Sequence, residues 1–194
     1  MEQSSLTGHL LVATPLLEDP NFRRAVVFVI DDSPTEGTLG VIVNRPSELS
    51  VAEVLEAWSD YASDPPVMFA GGPVGSGAGL ALGMLGESAA PLGWHPLESL
   101  QVNSEVASVG TIDLDTPPEI IGDALQRLRV FAGYAGWSEG QLLAEIEEGA
   151  WYVVPAVTDD VFSLAPDELW AQVLRRQGGD LALVSTFPDD PTLN

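Results

Sequence analysis

Apolar positions along the chain fall into short continuous runs separated by glycine- and proline-rich turns, with helical spacing in four places. Ala25 to Ile30 and Leu39 to Val43 are unbroken apolar runs, the pattern of strands covered on both faces. The turn-rich Asp31 to Gly37 between them predicts a hairpin. His9 to Ala13, Val67 to Ala70, Leu80 to Leu85, Val106 to Leu114, Arg129 to Ala132 and Trp151 to Val154 are further strands. Leu80 to Leu85 is expected to pair with Val67 to Ala70 across the glycine-rich GGPVGSGAG, and Gly86 to Ser104 is irregular. Ser50 and Glu53 have capping-box spacing ahead of an inward stripe of Val51, Val54, Leu55 and Trp58. Thr116, Pro117, Pro118 and Glu119 start a helix whose inner face is Ile120, Ile121, Ala124, Leu125 and Leu128. Gly133 and Gly136 punctuate a turn into a third helix. Ser138 and Gln141 box its start, Trp137 and Leu142 staple it, Leu143 and Ile146 complete its inner face, and Gly149 stops it. Pro166 opens a last helix with Leu169, Trp170, Val173 and Leu174 inward, Arg175 and Arg176 at its negative end, and Gly178 as terminator. Strands and helices mix without βαβ alternation, which predicts an α+β fold.

Composition narrows the function. At 194 residues and 45% hydrophobic, one domain spanning residues 1–194 is expected, with loose ends at 1–7 and 189–194. Seven arginines, no lysine and 29 acidic residues give a net charge of −22. Affinity for nucleic acid rests on cations neutralising phosphates, so direct binding to DNA, RNA or an anionic membrane is disfavoured. The chain contains no cysteine, which removes disulfides, thiolate nucleophiles and Cys-ligated zinc. The polar start MEQSSLTG has no signal-peptide pattern, and no apolar run approaches the roughly 20 residues of a membrane span, so a soluble cytoplasmic protein is expected.

Several motifs act together. Asn44-Arg45-Pro46, Gly71-Gly72-Pro73-Val74, and GYAGW with GQL from Gly133 to Leu142 resemble the YqgE/AlgH family of bacterial proteins. The opening GHLLVATPLLEDPNFRRAVVF, the EGTLG before the second strand of the hairpin and the closing PTLN are similar to it as well. The resemblance implies one α+β domain with a strongly curled, partly barrel-like mixed or antiparallel sheet surrounded by helices. It also implies a cytoplasmic accessory or regulatory protein without an established enzymatic activity, one branch of the family being named for transcriptional regulation. Many members carry a histidine where this chain has Asp31 and Asp32, so no role of that histidine transfers.

Four patterns invite chemistry. Gly136-Trp137-Ser138-Glu139-Gly140 spells the G-x-S-x-G of a nucleophile elbow, but both histidines, His9 and His95, precede Ser138, against the order of α/β-hydrolases. Gly71 to Gly79 follows a strand as phosphate loops do, yet has neither G-x-G-x-x-G spacing nor a lysine. Asp31 with Asp32, or Asp113 with Asp115, would serve a metal-dependent hydrolase if the fold brought the pairs together, although 29 carboxylates make such pairs common. Arg45 either pairs with a carboxylate to lock the Asn-Arg-Pro bend or holds a small anion beside the Gly-Gly-Pro amides.

The expected function is therefore non-enzymatic binding of a protein partner or a small anionic ligand, without cofactor. The candidate surface comprises Asn44, Arg45, Pro46, Gly71, Gly72, Pro73, Tyr134 and Trp137, and the alternative is a metal-dependent hydrolase using the aspartates.

Overall fold

A computed structural model describes residues 5–86, 91–98 and 105–189. Its first strands are β1 (His9–Ala13), β2 (Val26–Ser33), β3 (Gly37–Ile42) and β4 (Pro46–Ser50), followed by α1 (Val51–Val54) and a 3₁₀ segment, Glu56–Tyr61. Then come β5 (Val67–Ala70), β6 (Val74–Leu85), β7 (Trp94–Pro96), β8 (Val109–Ile112), α2 (Pro118–Ile121) and the long β9 (Leu125–Trp137). The chain continues through α3 (Gln141–Glu147), β10 (Trp151–Pro155), α4 (Thr158–Val161), α5 (Leu169–Gln177) and α6 (Gly179–Val184).

The strands form one curled half-barrel sheet in the order β10-β1-β2-β3-β9-β6-β8-β7, with β4 and β5 joined to it through β9. All described pairs are antiparallel except β5 with β9. Both faces are covered, as the unbroken apolar runs require. Val26, Phe28 and Ile30 enter one core with Leu169, Trp170, Val173 and Leu174 of α5, while Val27 and Val29 enter another with Leu142 and Ile146 of α3. Burial of these side chains stabilises the fold by about 1.5–3 kcal/mol each. The fold is α+β, and β1, the β2–β3 hairpin, β10 and the inward face of α5 lie where the sequence puts them.

β9 is where expectation and structure part. It runs without a turn through Gly133 and Gly136, pairing Gly136 with Leu39 and Trp137 with Thr38. β6 covers one edge of it from Leu125 to Tyr134; along the other edge Phe131 and Ala132 face β5, and Ala135 to Trp137 face β3. Gly133 stands at that handover with φ +73°. Consequently β5 and β6 flank β9 rather than pairing with each other. The helix expected through Leu128 also ends early: α2 and a 3₁₀ turn, Gly122–Ala124, give way to β9 at Leu125, because Leu125 to Arg129 register against Leu82 to Leu85. Ile120, assigned to its inner face, is exposed.

Smaller departures have local causes. Asp31 and Asp32 continue β2 past a bulge after Val29 instead of forming a loop. α1 is one turn long, so Val54 faces solvent while Val51 and Trp58 are buried. Gln141 accepts from the Ser138 backbone N–H at 3.1 Å, but the reciprocal bond from Gln141 N–H goes to the Ser138 carbonyl at 3.0 Å, and Gly140 caps α3. Leu143, assigned to the inner face of α3, is partly exposed. Ser5 to Thr7, expected loose, are tied down by Leu6 N–H on the Asp32 carboxylate at 2.8 Å, and Thr7 is buried. The closing PTLN lies outside the described residues.

The Ser50–Glu53 box is complete, with Glu53 accepting from Ser50 N–H at 2.9 Å and from its hydroxyl at 2.7 Å, and returning its own N–H at 3.3 Å. Those bonds from Ser50 hold the Glu53 carboxyl below its ordinary value of 4.5. A depressed carboxyl contributes stability that is present above the unfolded value and lost as pH falls through the folded one. Wild type should therefore lose more of its melting temperature between pH 6 and pH 3 than Glu53→Gln does. Parallel acid-side slopes would show that the charge adds nothing.

Candidate functional site

Three of the sequence motifs meet, and they do so through backbone. Asn44 replaces a rung of the β2–β3 ladder: its Oδ1 accepts from Val26 N–H at 2.8 Å and its Nδ2 donates to the Arg24 carbonyl at 2.9 Å. The Arg45 carbonyl accepts from Ala70 N–H at 2.9 Å, and Pro46 opens β4 opposite Phe69. Gly71 donates to Ala132 at 2.9 Å and accepts from Ile42 at 2.8 Å, so it ties β9 to β3 at the end of β5. A Cβ on Gly71 would lie 2.3 Å from the Gly133 carbonyl oxygen, and one on Gly72 would lie 2.2 Å from that of Tyr134. Close approach of two backbones explains this glycine pair, as it does elsewhere that chains touch without side chains between them. The Tyr134 ring covers Gly75 and Gly136, and Pro73 is exposed beside it.

Trp137 does not join them. At the far end of β9 its indole N–H and that of Trp151 both donate to Glu145 Oε2 at 2.9 Å, with Phe22 packed against both rings. This aromatic cluster fixes α3 onto the sheet.

Arg45 is engaged with backbone rather than in a salt bridge among the described residues. Its guanidinium donates to the carbonyls of Asn21 and Arg23, the latter at 3.0 Å. Burial lowers its pKa, and the Asp19 carboxylate offsets part of that. Together with Asn44 it fixes the backbone of Asn21 to Arg24. Arg24 there adopts φ +55°, a left-handed conformation costly for a long side chain. Its guanidinium lies 4.2 Å over the Trp170 ring, its Nε is 2.8 Å from Asp189 Oδ1, and it also donates to the Phe187 carbonyl. Arg23 donates to the Asp189 carbonyl. Pro15, Leu17, Phe187 and Pro188 wall the adjoining cavity of about 420 Å³. In the sequence Arg23 and Arg24 are an adjacent pair of cations, but so are Arg175 and Arg176, and adjacency alone does not separate the two pairs.

A groove of about 540 Å³ adjoins the junction at Ala132. Val74 faces Tyr134 and Gly79 faces Ala132, which leaves Gly75 to Ala78 opposed by Gly133 alone. The glycine-rich segment thus forms a wide bulge within β6, and Ser76 to Gly79 line the groove. Leu49, Val54 and Met68 form the floor, and Asp113 and Asp115 stand on the rim. Leu49 and Val54 are 46% and 48% exposed, and a Cβ on Gly77 would meet nothing within 4 Å.

Asp32, Asp113 and Ser138 make local hydrogen bonds. Asp32 accepts from Leu6 N–H and, at 2.6 Å, from the Thr38 hydroxyl; Asp113 accepts from Asp115 N–H at 3.0 Å. Ser138 shares a cleft of about 560 Å³ with Asp32 and Thr38, and its hydroxyl lies 3.2 Å from Gln141 Oε1. Among the described residues no three His, Asp or Glu side chains are grouped to hold a metal ion. His95 is exposed on β7, and His9 has a buried Nδ1 without a hydrogen-bond partner.

Residues 10–182 match the DUF179, AlgH-like, family model. A UPF0301 protein of Thermobifida fusca is 64% identical over 194 residues, covering 100% of this chain and 98% of its own, and UPF0301 protein SCO2948 of Streptomyces coelicolor is 52% identical over 198. The crystal structure of protein DIP2367 from Corynebacterium diphtheriae superposes with TM-score 0.85 at 30% identity, covering 96% of this chain and 94% of the other. The solution structure of the AlgH protein from Pseudomonas aeruginosa superposes with TM-score 0.66 at 30% identity, covering 97% and 98%.

Proposed function

The chain belongs to the AlgH-like family, and from that premise we propose that it is a non-enzymatic accessory protein that binds an extended, basic segment of a partner protein in the groove beside the motif junction. The single observation that carries the reading is the groove itself. Apolar Leu49 and Val54 lie half exposed in it, Gly77 leaves open space, and Asp113 and Asp115 stand at the rim of a chain of net charge −22. An extended peptide suits such a place because its alternate side chains would fill the apolar floor while its cations meet the rim. The glycines that bring β5 and β9 together fix one wall, and the Trp58 indole, donating to the Leu114 carbonyl at 3.2 Å, fixes another. Any regulatory role would run through that partner, since the charge opposes contact with nucleic acid. A cytoplasmic location is part of the same proposal; among the described residues no helix is long and apolar enough to cross a membrane.

Panning a displayed peptide library on the wild type tests it, with Leu49→Asp/Val54→Asp for counter-selection and Leu164→Asp, at an exposed site elsewhere, as control. Basic sequences with alternating apolar residues should be enriched, and the double variant should bind them at least tenfold more weakly. Failure to enrich, or peptides that bind the double variant equally well, would refute the groove.

A further inference from the structure

We propose that Arg23 and Arg24 form a binding site for a phosphate monoester, held shut in this structure by the chain's own segment Phe187 to Asp189. The inference is independent of the groove, which shares none of these residues.

The corner has the makings of an anion site. Two adjacent guanidiniums converge on three acceptor oxygens: the carbonyls of Phe187 and Asp189 and the Asp189 carboxylate. A phosphate monoester presents three acceptor oxygens and nearly two charges in one compact group, which matches what two forked donors offer better than a carboxylate with two carbonyls does. The cations are prearranged. Arg45 holds the Arg23 carbonyl and Asn44 the Arg24 carbonyl, so the Asn-Arg-Pro bend fixes the backbone from which both side chains project. The left-handed φ of Arg24 and the stacking of its guanidinium over Trp170 are costs and constraints of the kind found where a side chain is aimed at a task. Pro15 and Leu17, next to Glu18, give the cavity apolar lining for the organic part of the ester that does not depend on Phe187.

The present occupant is weakly held. The Asp189 side chain is 85% exposed, and an ion pair so open to water contributes little. A stronger oxyanion can therefore displace it, freeing Phe187 from the mouth of the cavity. Asp189 in this arrangement is a competitor in cis, which raises the ligand concentration needed for binding.

Phenyl phosphate, titrated calorimetrically at low salt, tests the site. Wild type should bind it, Arg24→Gln should lose binding at least tenfold, and Asp189→Asn should tighten it about fivefold by removing the competitor. Asp123→Asn, which changes the net charge equally at an exposed position in the 3₁₀ turn after α2, should not. Melting scans keep the test valid if Arg24→Gln loosens the loop, because phenyl phosphate should raise the melting temperature of wild type and Asp189→Asn. Absence of binding to both of those proteins would overturn the site. Equal affinity of Asp189→Asn and wild type would overturn the closure, and so would sedimentation showing that Asp189→Asn changes the oligomeric state, which would mark the corner as a contact between copies.

Discussion

Replacing Gly72 with alanine is expected to lower the melting temperature by about 6–12 °C, the shift that a loss of about 3 kcal/mol produces in a chain of this size. The new methyl group would sit 2.2 Å from both the carbonyl carbon and oxygen of Tyr134 and 2.4 Å from Ala135 N. These are backbone atoms at the point where β9 passes from β5 to β3, and no rotamer change can move them. Overpacking against side chains typically costs about 1–3 kcal/mol, and a backbone obstacle belongs at or above the top of that range. Relief requires Gly71 and Gly72 to draw back from β9, which breaks the bonds Gly71 makes to Ala132 and Ile42. Gly133→Ala should behave alike, since its Cβ would meet the Gly72 oxygen at 2.6 Å in a left-handed backbone. Gly77→Ala is the internal comparison: nothing lies within 4 Å, so its effect should stay near zero. Thermal unfolding that treated Gly72→Ala and Gly77→Ala alike would show that the junction is not a close-packed crossing.

That crossing is also where the sequence stopped being readable. Helix α5 was legible because four apolar positions at helical spacing lie between Pro166 and Gly178, and the β2–β3 hairpin because its runs are covered on both faces. Each of those signals is contained within 19 residues or fewer. β9 has no such signature. Ile120, Ile121, Ala124, Leu125 and Leu128 keep helical spacing up to the point where pairing with β6 takes over, and tertiary pairing overrides a local period. Gly133 and Gly136 read as a turn because left-handed glycines usually make one, whereas Gly133 uses that conformation to let two strands share one edge of β9. Of the site, Asn44 to Pro46, Gly71 to Pro73 and Tyr134 stand out in the sequence as motifs, but their meeting does not, and Trp137, three residues from Tyr134, packs into a different cluster. Arg24 and Phe187 lie 163 residues apart, so no local pattern could pair them.

Arg129→Met is the second large effect, expected to lower stability by about 3 kcal/mol even though it removes an unfavourably buried charge. Arg129 is 2% exposed and makes no salt bridge among the described residues; its guanidinium serves the carbonyls of Asp64 at 2.6 Å, Ser163 at 3.0 Å and Val161 at 3.4 Å, and lies 4.3 Å over the Phe69 ring. Burial, with the like charge of Arg127 second and the Asp64 carboxylate partly offsetting, pushes its pKa well below the ordinary arginine value, to about 10. That shift corresponds to a penalty of about 3 kcal/mol for keeping the cation charged. Against it stand two well-formed bonds to a charged donor at about 1.5–3 kcal/mol each and a desolvated cation–π contact of about 2 kcal/mol. Methionine fills the volume but leaves the Asp64 and Ser163 carbonyls without that donor, so the loss exceeds the relief. The linkage sign follows from the depressed pKa: the folded state sheds this proton first, so the contribution of Arg129 is least below about pH 10 and grows as pH climbs toward the ordinary arginine range. The gap between wild type and variant in denaturant unfolding should therefore be present at pH 7 and widen above about pH 10. A gap that closes there instead would mean that charge, and not the fork of donors, is what Arg129 supplies to the loops around Asp64 and Ser163.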